Sequence, residues 1–274
     1  MAIKLMMITN NPGIAKEAED AGVDRIFLDY EILGKEERQG HLDTHITDHE
    51  FEDIKLVKNE LTESELLVRI NPIHENTENE VEKAIDYGAD IIMLPMFKTA
   101  EEVRDFIEIV DGRVETSLLL ETAPAMVRAD EICKIDGIDE IHVGLNDLHL
   151  SMELDFMFEL LSGGIVEYLA DILKGHGYRW GFGGIAKIGE GELPAENILA
   201  EHIRLDSDMV ILSRTFKGNC KNVNELREEI DLKEEVKKIR EKEKEIRENW
   251  TSEDFEENKL FVKSKVQEIV RMLN

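Results

Sequence analysis

Basic residues are scarce in this chain: 33 Lys and Arg stand against 61 Asp and Glu among 274 residues, a formal charge of −28. A field of that sign repels phosphate backbones and anionic lipid, so nucleic acid and membrane are not expected partners. An anionic substrate would need a local cation or metal to offset it. Cysteine is nearly missing, with Cys133 and Cys220 far apart and in no Cys-x-x-Cys or Cys/His ligand pattern. That argues against a disulfide scaffold and for a reducing compartment. No apolar run approaches the ~20 residues that span a bilayer. Met1–Met7 lead into a strand-like segment ending at Asn10-Asn11-Pro12-Gly13, not into a signal peptide. The expectation is a soluble, cytoplasmic protein. No Gly-x-Gly-x-x-Gly follows the first strand, and Gly181-Phe182-Gly183-Gly184 lies inside a late one, so a dinucleotide fingerprint is not expected.

What is present is alternation. Strand-like runs fall at Ile3–Thr9, Arg25–Tyr30, Leu66–Ile70, Asp90–Met96, Thr116–Glu121, Glu140–Gly144, Arg179–Ile185 and Met209–Phe216. Helical patterns separate them at Gly13–Ala21, Glu50–Leu61, Glu78–Tyr87, Ala100–Val110, Ala125–Cys133, Ile165–Lys174 and Pro194–Leu205, several closed by Gly or Asp-Gly. Eight strands alternating with helices predict a parallel sheet, and the count matches an α/β (β/α)8 TIM barrel rather than an open doubly wound sheet. The domain expectation is a catalytic barrel over residues 1–222 and a helical extension over 223–274. From Val223 the composition becomes a charged helix through Arg240, then a break at Trp250-Thr251, then an amphipathic helix from Ser252 to Leu273. That extension is expected to pack on the barrel or on a neighbouring subunit, which makes a homo-oligomer the expected state. Two connections are long, residues 31–49 and 148–164, and both would leave the catalytic face, where insertions serve as lids or subunit contacts.

Two of the runs end abruptly at acids: Leu118-Leu119-Leu120-Glu121 and Ile141-His142-Val143-Gly144-Leu145-Asn146-Asp147. A separation of 26 residues suits one loop, one helix and the next parallel strand, which would place both carboxylates in one mouth. Hard cations such as Mg²⁺ take one or two carboxylates and leave the rest to water or substrate. The alternative is that both acids cap the helices that follow.

The strand tips read Asp29-Tyr30-Glu31, Arg69-Ile70-Asn71-Pro72, Met93-Leu94-Pro95-Met96, Leu120-Glu121-Thr122-Ala123 and Gly144-Leu145-Asn146-Asp147-Leu148. This series resembles the family of 4-hydroxy-2-oxoheptanedioate aldolase and the citrate lyase beta subunit, over about residues 20–216. The resemblance implies a pyruvate- and phosphoenolpyruvate-type TIM barrel. In it Glu121 and Asp147 ligate Mg²⁺, Mn²⁺ or another divalent cation. Arg69 reaches the keto or enolate oxygen of a pyruvate-like 2-oxo acid, and the Gly144-Leu145-Asn146-Asp147 turn offers amides to its carboxylate. Asp29 and Glu31 sit behind the metal and hold its waters. The implied activity is a metal-dependent aldolase or carbon–carbon lyase joining or separating a 2-oxo acid and an aldehyde.

The chain departs from that pattern at Ile32, where aldolase members commonly carry a His and citrate-lyase-like members an Asp. A base would then come from His41, His45, His49 or water. Met96 follows Pro95 where citrate-lyase-like members tend to have Lys. Other readings are a lyase or thioesterase for malyl- or citramalyl-type CoA esters, a Schiff-base aldolase using Lys98 or Lys187, and a non-catalytic scaffold. Lys187, Gly189-Glu190-Gly191 and Ser213-Arg214 follow the last two strands, where such barrels often bind phosphate. A phosphorylated aldehyde and a plain turn are both open there.

Overall fold

The computed structural model describes residues 2–33 and 51–273. Eight parallel strands close into a barrel in sequence order: β1 (Lys4–Ile8), β2 (Arg25–Asp29), β3 (Glu65–Arg69), β4 (Ile91–Leu94), β5 (Glu115–Leu120), β6 (Glu140–Val143), β7 (Arg179–Ile185) and β8 (Met209–Leu212). β8 closes on β1 through Lys4–Met209 to Met7–Leu212. The strands are apolar almost throughout because both of their faces are covered. One face packs on the surrounding helices; the other fills the barrel with Phe27, Leu67, Ile91, Met93 and Leu119.

Helices α1 (Pro12–Asp20), α2 (Glu52–Glu60), α3 (Thr77–Asp86) and α4 (Ala100–Val110) follow the first four strands. Where one helix over Ala125–Cys133 is expected, two short ones form, α5 (Ala123–Val127) and α6 (Ala129–Ile132). Pro124 starts the first early, and Arg128 leaves helical geometry at φ −100°, ψ 9°. After β6 come α7 (Leu145–Ser151), α8 (Glu159–Ser162) and α9 (Ile165–Gly175), and after β7 comes α10 (Ala195–Arg204). The connection over 148–164, expected as a lid or subunit contact, is anchored on the core by part of its length. Its Phe156 and Phe158 are buried edge to face, 5.4 Å apart, because two phenyl rings lose most by staying in water. β8 stops at Leu212, short of the expected Phe216, and Ser213 caps a single 3₁₀ turn over Arg214–Phe216.

The charged tail forms three helices, α11 (Val223–Glu229), α12 (Leu232–Asn249) and α13 (Ser252–Leu273). The break within the expected first helix is local: Ile230 is extended, and Asp231 caps α12 by accepting the Glu234 N–H at 3.0 Å. The tail is stitched to its own barrel. Glu243 accepts the Ile3 N–H at 2.9 Å, Arg240 donates to Asp24 at 2.6 Å, and Asn258 donates to Glu201 at 2.8 Å. No helix among the described residues is long and apolar enough to cross a membrane.

The barrel floor, at the strands' N-terminal ends, holds an ionic ring. Arg25 is fully buried and donates to Glu140 at 2.6 and 3.1 Å and to Glu65 at 2.8 and 3.1 Å. Lys4 joins Glu65 at 2.9 Å, and Arg179 joins Glu115 at 2.6 Å. Burial alone would weaken the Arg25 charge, but Glu140 and Glu65 outweigh it and hold the guanidinium protonated.

Candidate active site

The mouth, at the opposite end, gathers the strand-tip residues singled out from sequence. Arg69 ends β3 and Asp29 ends β2 in direct register, so the pairing of the two strands presents one side chain to the other. Asp29 accepts from Arg69 Nε at 2.9 Å and Nη2 at 2.7 Å, a two-pronged grip, and Glu31 lies 3.3 Å from Nη1. Beneath them the Phe27 ring centroid is 5.5 Å from the guanidinium carbon, a cation–π distance. Burial opposes the Arg69 charge, but Asp29, Glu31 and Glu121 overcome it, so the side chain is a permanent cation above its usual range. The two acids expected behind the metal thus face the arginine and orient it.

Glu121 follows β5 and is buried. It is not a helix cap: Thr122 caps α5 by accepting the Ala125 N–H at 3.2 Å. The Glu121 carboxylate instead accepts the Met96 N–H at 3.2 Å, from the tip of the neighbouring strand. Met96 delivers that N–H from a left-handed conformation, φ 56°, which a non-glycine side chain adopts only under constraint. Gly144 is required here for space, since a Cβ on it would fall 2.8 Å from both the Glu121 Cβ and Oε2.

Asp147 lies in the first turn of α7, whose N-cap is Gly144, so it is not the cap either. The Gly144 N–H is taken by Leu120 O at 3.0 Å. In the same first turn the amides of Leu145 and Asn146 have no intrahelical acceptor and are the ones a substrate carboxylate would meet.

Burial first of all, then the charges of Asp147 and Glu31, push the Glu121 carboxyl well above the usual carboxylate range, against the pull of Arg69 and the Met96 N–H. Carboxylates crowded to that degree are a site for positive charge. Among the described residues no three His, Cys, Asp or Glu converge as a ready-made metal centre. A pair of oxygen donors, Glu121 and Asp147, fits a hard divalent cation that completes its shell from substrate and water.

The other candidates are placed less favourably. His41, His45 and His49, with Lys35, Arg38 and Asp43, lie outside the described residues. Lys98 is exposed rather than in an apolar pocket, and Lys187 pairs with Glu190 at 3.0 Å. In the loop after β7 the Gly189 N–H donates to Glu196 at 3.2 Å, so the chain's own acids engage the groups a phosphate would use. Sequence reading missed the buried Asn71, whose Oδ1 accepts the N–H groups of Ile32 and Leu33 at 2.9 Å each. The only sequence signal was its place in the Arg69-Ile70-Asn71-Pro72 tip.

Residues 3–156 match the family model of HpcH/HpaI aldolase/citrate lyase. No curated protein sequence matches the chain. Solved structures match in fold. An HpcH/HpaI aldolase from Desulfitobacterium hafniense aligns at TM-score 0.60 and 17% identity, over 77% of this chain and 86% of its own. A citrate lyase beta subunit from M. tuberculosis, complexed with oxaloacetate and magnesium, aligns at 0.62 and 14%, over 88% of this chain and 97% of its own. The citrate synthase SbnG aligns at 0.58 and 15%, over 78% and 87%. At such identities these three speak for the barrel and not for its substrates.

Proposed function

The chain belongs to the HpcH/HpaI aldolase/citrate lyase family, and from that premise we propose that it is a divalent-metal-dependent carbon–carbon lyase or aldolase. Its donor is pyruvate or a close 2-oxo acid, its second substrate an aldehyde, and the reaction passes through the enolate of the 2-oxo acid. The observation that carries this reading is the mouth itself: an arginine locked by Asp29 and Glu31, close to Glu121, whose carboxyl is pushed up by burial first and then by Asp147 and Glu31. The oxaloacetate and magnesium of the M. tuberculosis neighbour support a 2-oxo acid and a hard cation.

Glu121 and Asp147 would hold Mg²⁺, Mn²⁺ or another divalent ion, which when bound supplies Lewis-acid stabilisation at the substrate carbonyl. Arg69 places a fixed positive charge at the oxygen where negative charge develops. Because Asp29 and Glu31 already set its orientation, little reorganisation is needed as that charge appears. The first-turn amides of α7 receive the substrate carboxylate as a helix N-terminus receives an anion. We take the enzyme to be cytoplasmic and a homo-oligomer, with the exposed Leu260 and Phe261 of α13 as an apolar surface for a second copy.

The decisive experiment is exchange of pyruvate methyl protons in D₂O, followed by NMR with Mg²⁺ or Mn²⁺ and then with EDTA. Exchange that needs metal and falls by about a hundredfold or more in Arg69→Ala is the expected result. A metal-loaded protein that exchanges nothing would remove pyruvate as donor and turn attention to CoA esters or other 2-oxo acids.

A further inference from the structure

Asn71 touches none of the reacting positions, yet it is buried and fully engaged. Its Oδ1 accepts the Ile32 and Leu33 amides, the two that follow Glu31. Its Nδ2 donates to Glu80 Oε1 at 2.8 Å, and its own N–H donates to Glu80 Oε2 at 3.2 Å. Glu80 comes from α3 and is buried too. The Asn76 N–H donates to His74 Nδ1 at 2.9 Å, which assigns the proton to Nε2, and this donates to Glu80 Oε1 at 3.0 Å. An asparagine amide can flip end for end, but a carboxylate facing Nδ2 forbids it. Glu80 therefore dictates that the oxygen of Asn71 meets the two amides.

We propose that Asn71, braced by Glu80, is a positioning residue that sets Glu31 against Arg69. The backbone at Glu31 is held on both sides. Its own N–H donates to Asp29 Oδ1 at 3.1 Å, and the next two amides are held by Asn71. Between these anchors the Glu31 carboxylate falls 3.3 Å from Arg69 Nη1, while Asp29 takes Nε and Nη2. Acids on both edges leave the guanidinium one orientation; with Glu31 released, the Nη1 edge loses its acid. The catalytic consequence rests on the function proposed above, whereas the positioning does not.

Two variants test it. Asn71→Ala removes the acceptor, and Glu80→Gln keeps the volume but turns an NH₂ toward donors that need an acceptor. Three quantities are read: hydrogen exchange of the Ile32 and Leu33 amides, the Arg69 Nε–H signal by ¹⁵N NMR, and kcat and KM for pyruvate proton exchange. Both variants are expected to expose the amides, shift the Arg69 signal, and lower kcat roughly tenfold with KM changed by less than about threefold. Wild-type protection and an unmoved Arg69 signal in both variants would overturn the proposal. So would exposed amides with the Arg69 signal and kcat unchanged. If the wild-type protein exchanges no pyruvate protons, the proposed function fails, and the Arg69 signal alone decides the positioning.

Discussion

Each end of this barrel holds an arginine gripped by acids, and the two ends differ in how the charges balance. At the floor, Lys4, Arg25 and Arg179 meet Glu65, Glu115 and Glu140, three cations to three anions. At the mouth, among the described residues, one arginine, Arg69, meets the acids Asp29 and Glu31, with Glu121 and Asp147 close by. The floor is a paired network, buried at Arg25 and Glu140 and half-buried at its rim, and it closes that end of the barrel. Among the described residues the mouth gathers more acids than bases, in a protein already at −28. We read that gathering of acids, set against the paired floor, as the mark of the proposed active end.

The comparison breaks most sharply at Glu121. Replacement by Gln should lower pyruvate proton exchange by about a thousandfold. Calorimetry should find the melting temperature unchanged or raised, because one of several repelling acids is gone. A large loss of stability instead would make the mouth a structural network like the floor.

Arg25→Met should do the reverse. It leaves the buried Glu140 with only Arg179 at 3.8 Å, at a cost of about 3–5 kcal/mol in denaturant unfolding. Activity per folded molecule should stay within about twofold of wild type, since the floor plays no part in transition-state stabilisation.

Between the two ends sits His142 on β6, buried, donating from Nε2 to Gly183 O at 3.1 Å. Burial holds its pKa down to about 4, well below the 6.5 of the unfolded chain. The unfolded state therefore takes up a proton that the folded state refuses. Stability is full above pH 6.5 and declines as pH falls towards 4, by on the order of 2–3 kcal/mol. His142→Asn should flatten that part of a stability–pH curve, while His202, held down in the same way by burial, keeps the remainder. An unchanged slope would show that His142 does not titrate across folding.

The strands were legible because parallel strands covered on both faces must be continuous apolar runs, and the turns that end them need breakers. The acids at the mouth were legible because an apolar run that stops at a carboxylate is conspicuous. Arg25 was not, although it opens a strand in plain view. Its partner Glu140 is 115 residues away, and only barrel closure brings β2 and β6 to the same floor. Asn71 was hidden for the same reason, since its meaning depends on Glu80 from the following helix and on backbone amides from the preceding loop. The breaks at Arg128 and Ile230 were missed because each interrupts a good helical pattern for a local reason: Pro124 shifts one start, and Asp231 caps another.

By itself the sequence determined the eight-strand alternation, the net negative charge, and the order of acids and arginine along the strand tips, because periodicity and composition are local properties. Only the tertiary structure decided which carboxylate meets which cation. It turned Asp29 and Glu31 onto Arg69, aimed the Met96 amide at Glu121, paired the ions of one end of the barrel and gathered acids at the other. Those choices depend on closure of the sheet, which sets distances between residues that no spacing along the chain encodes.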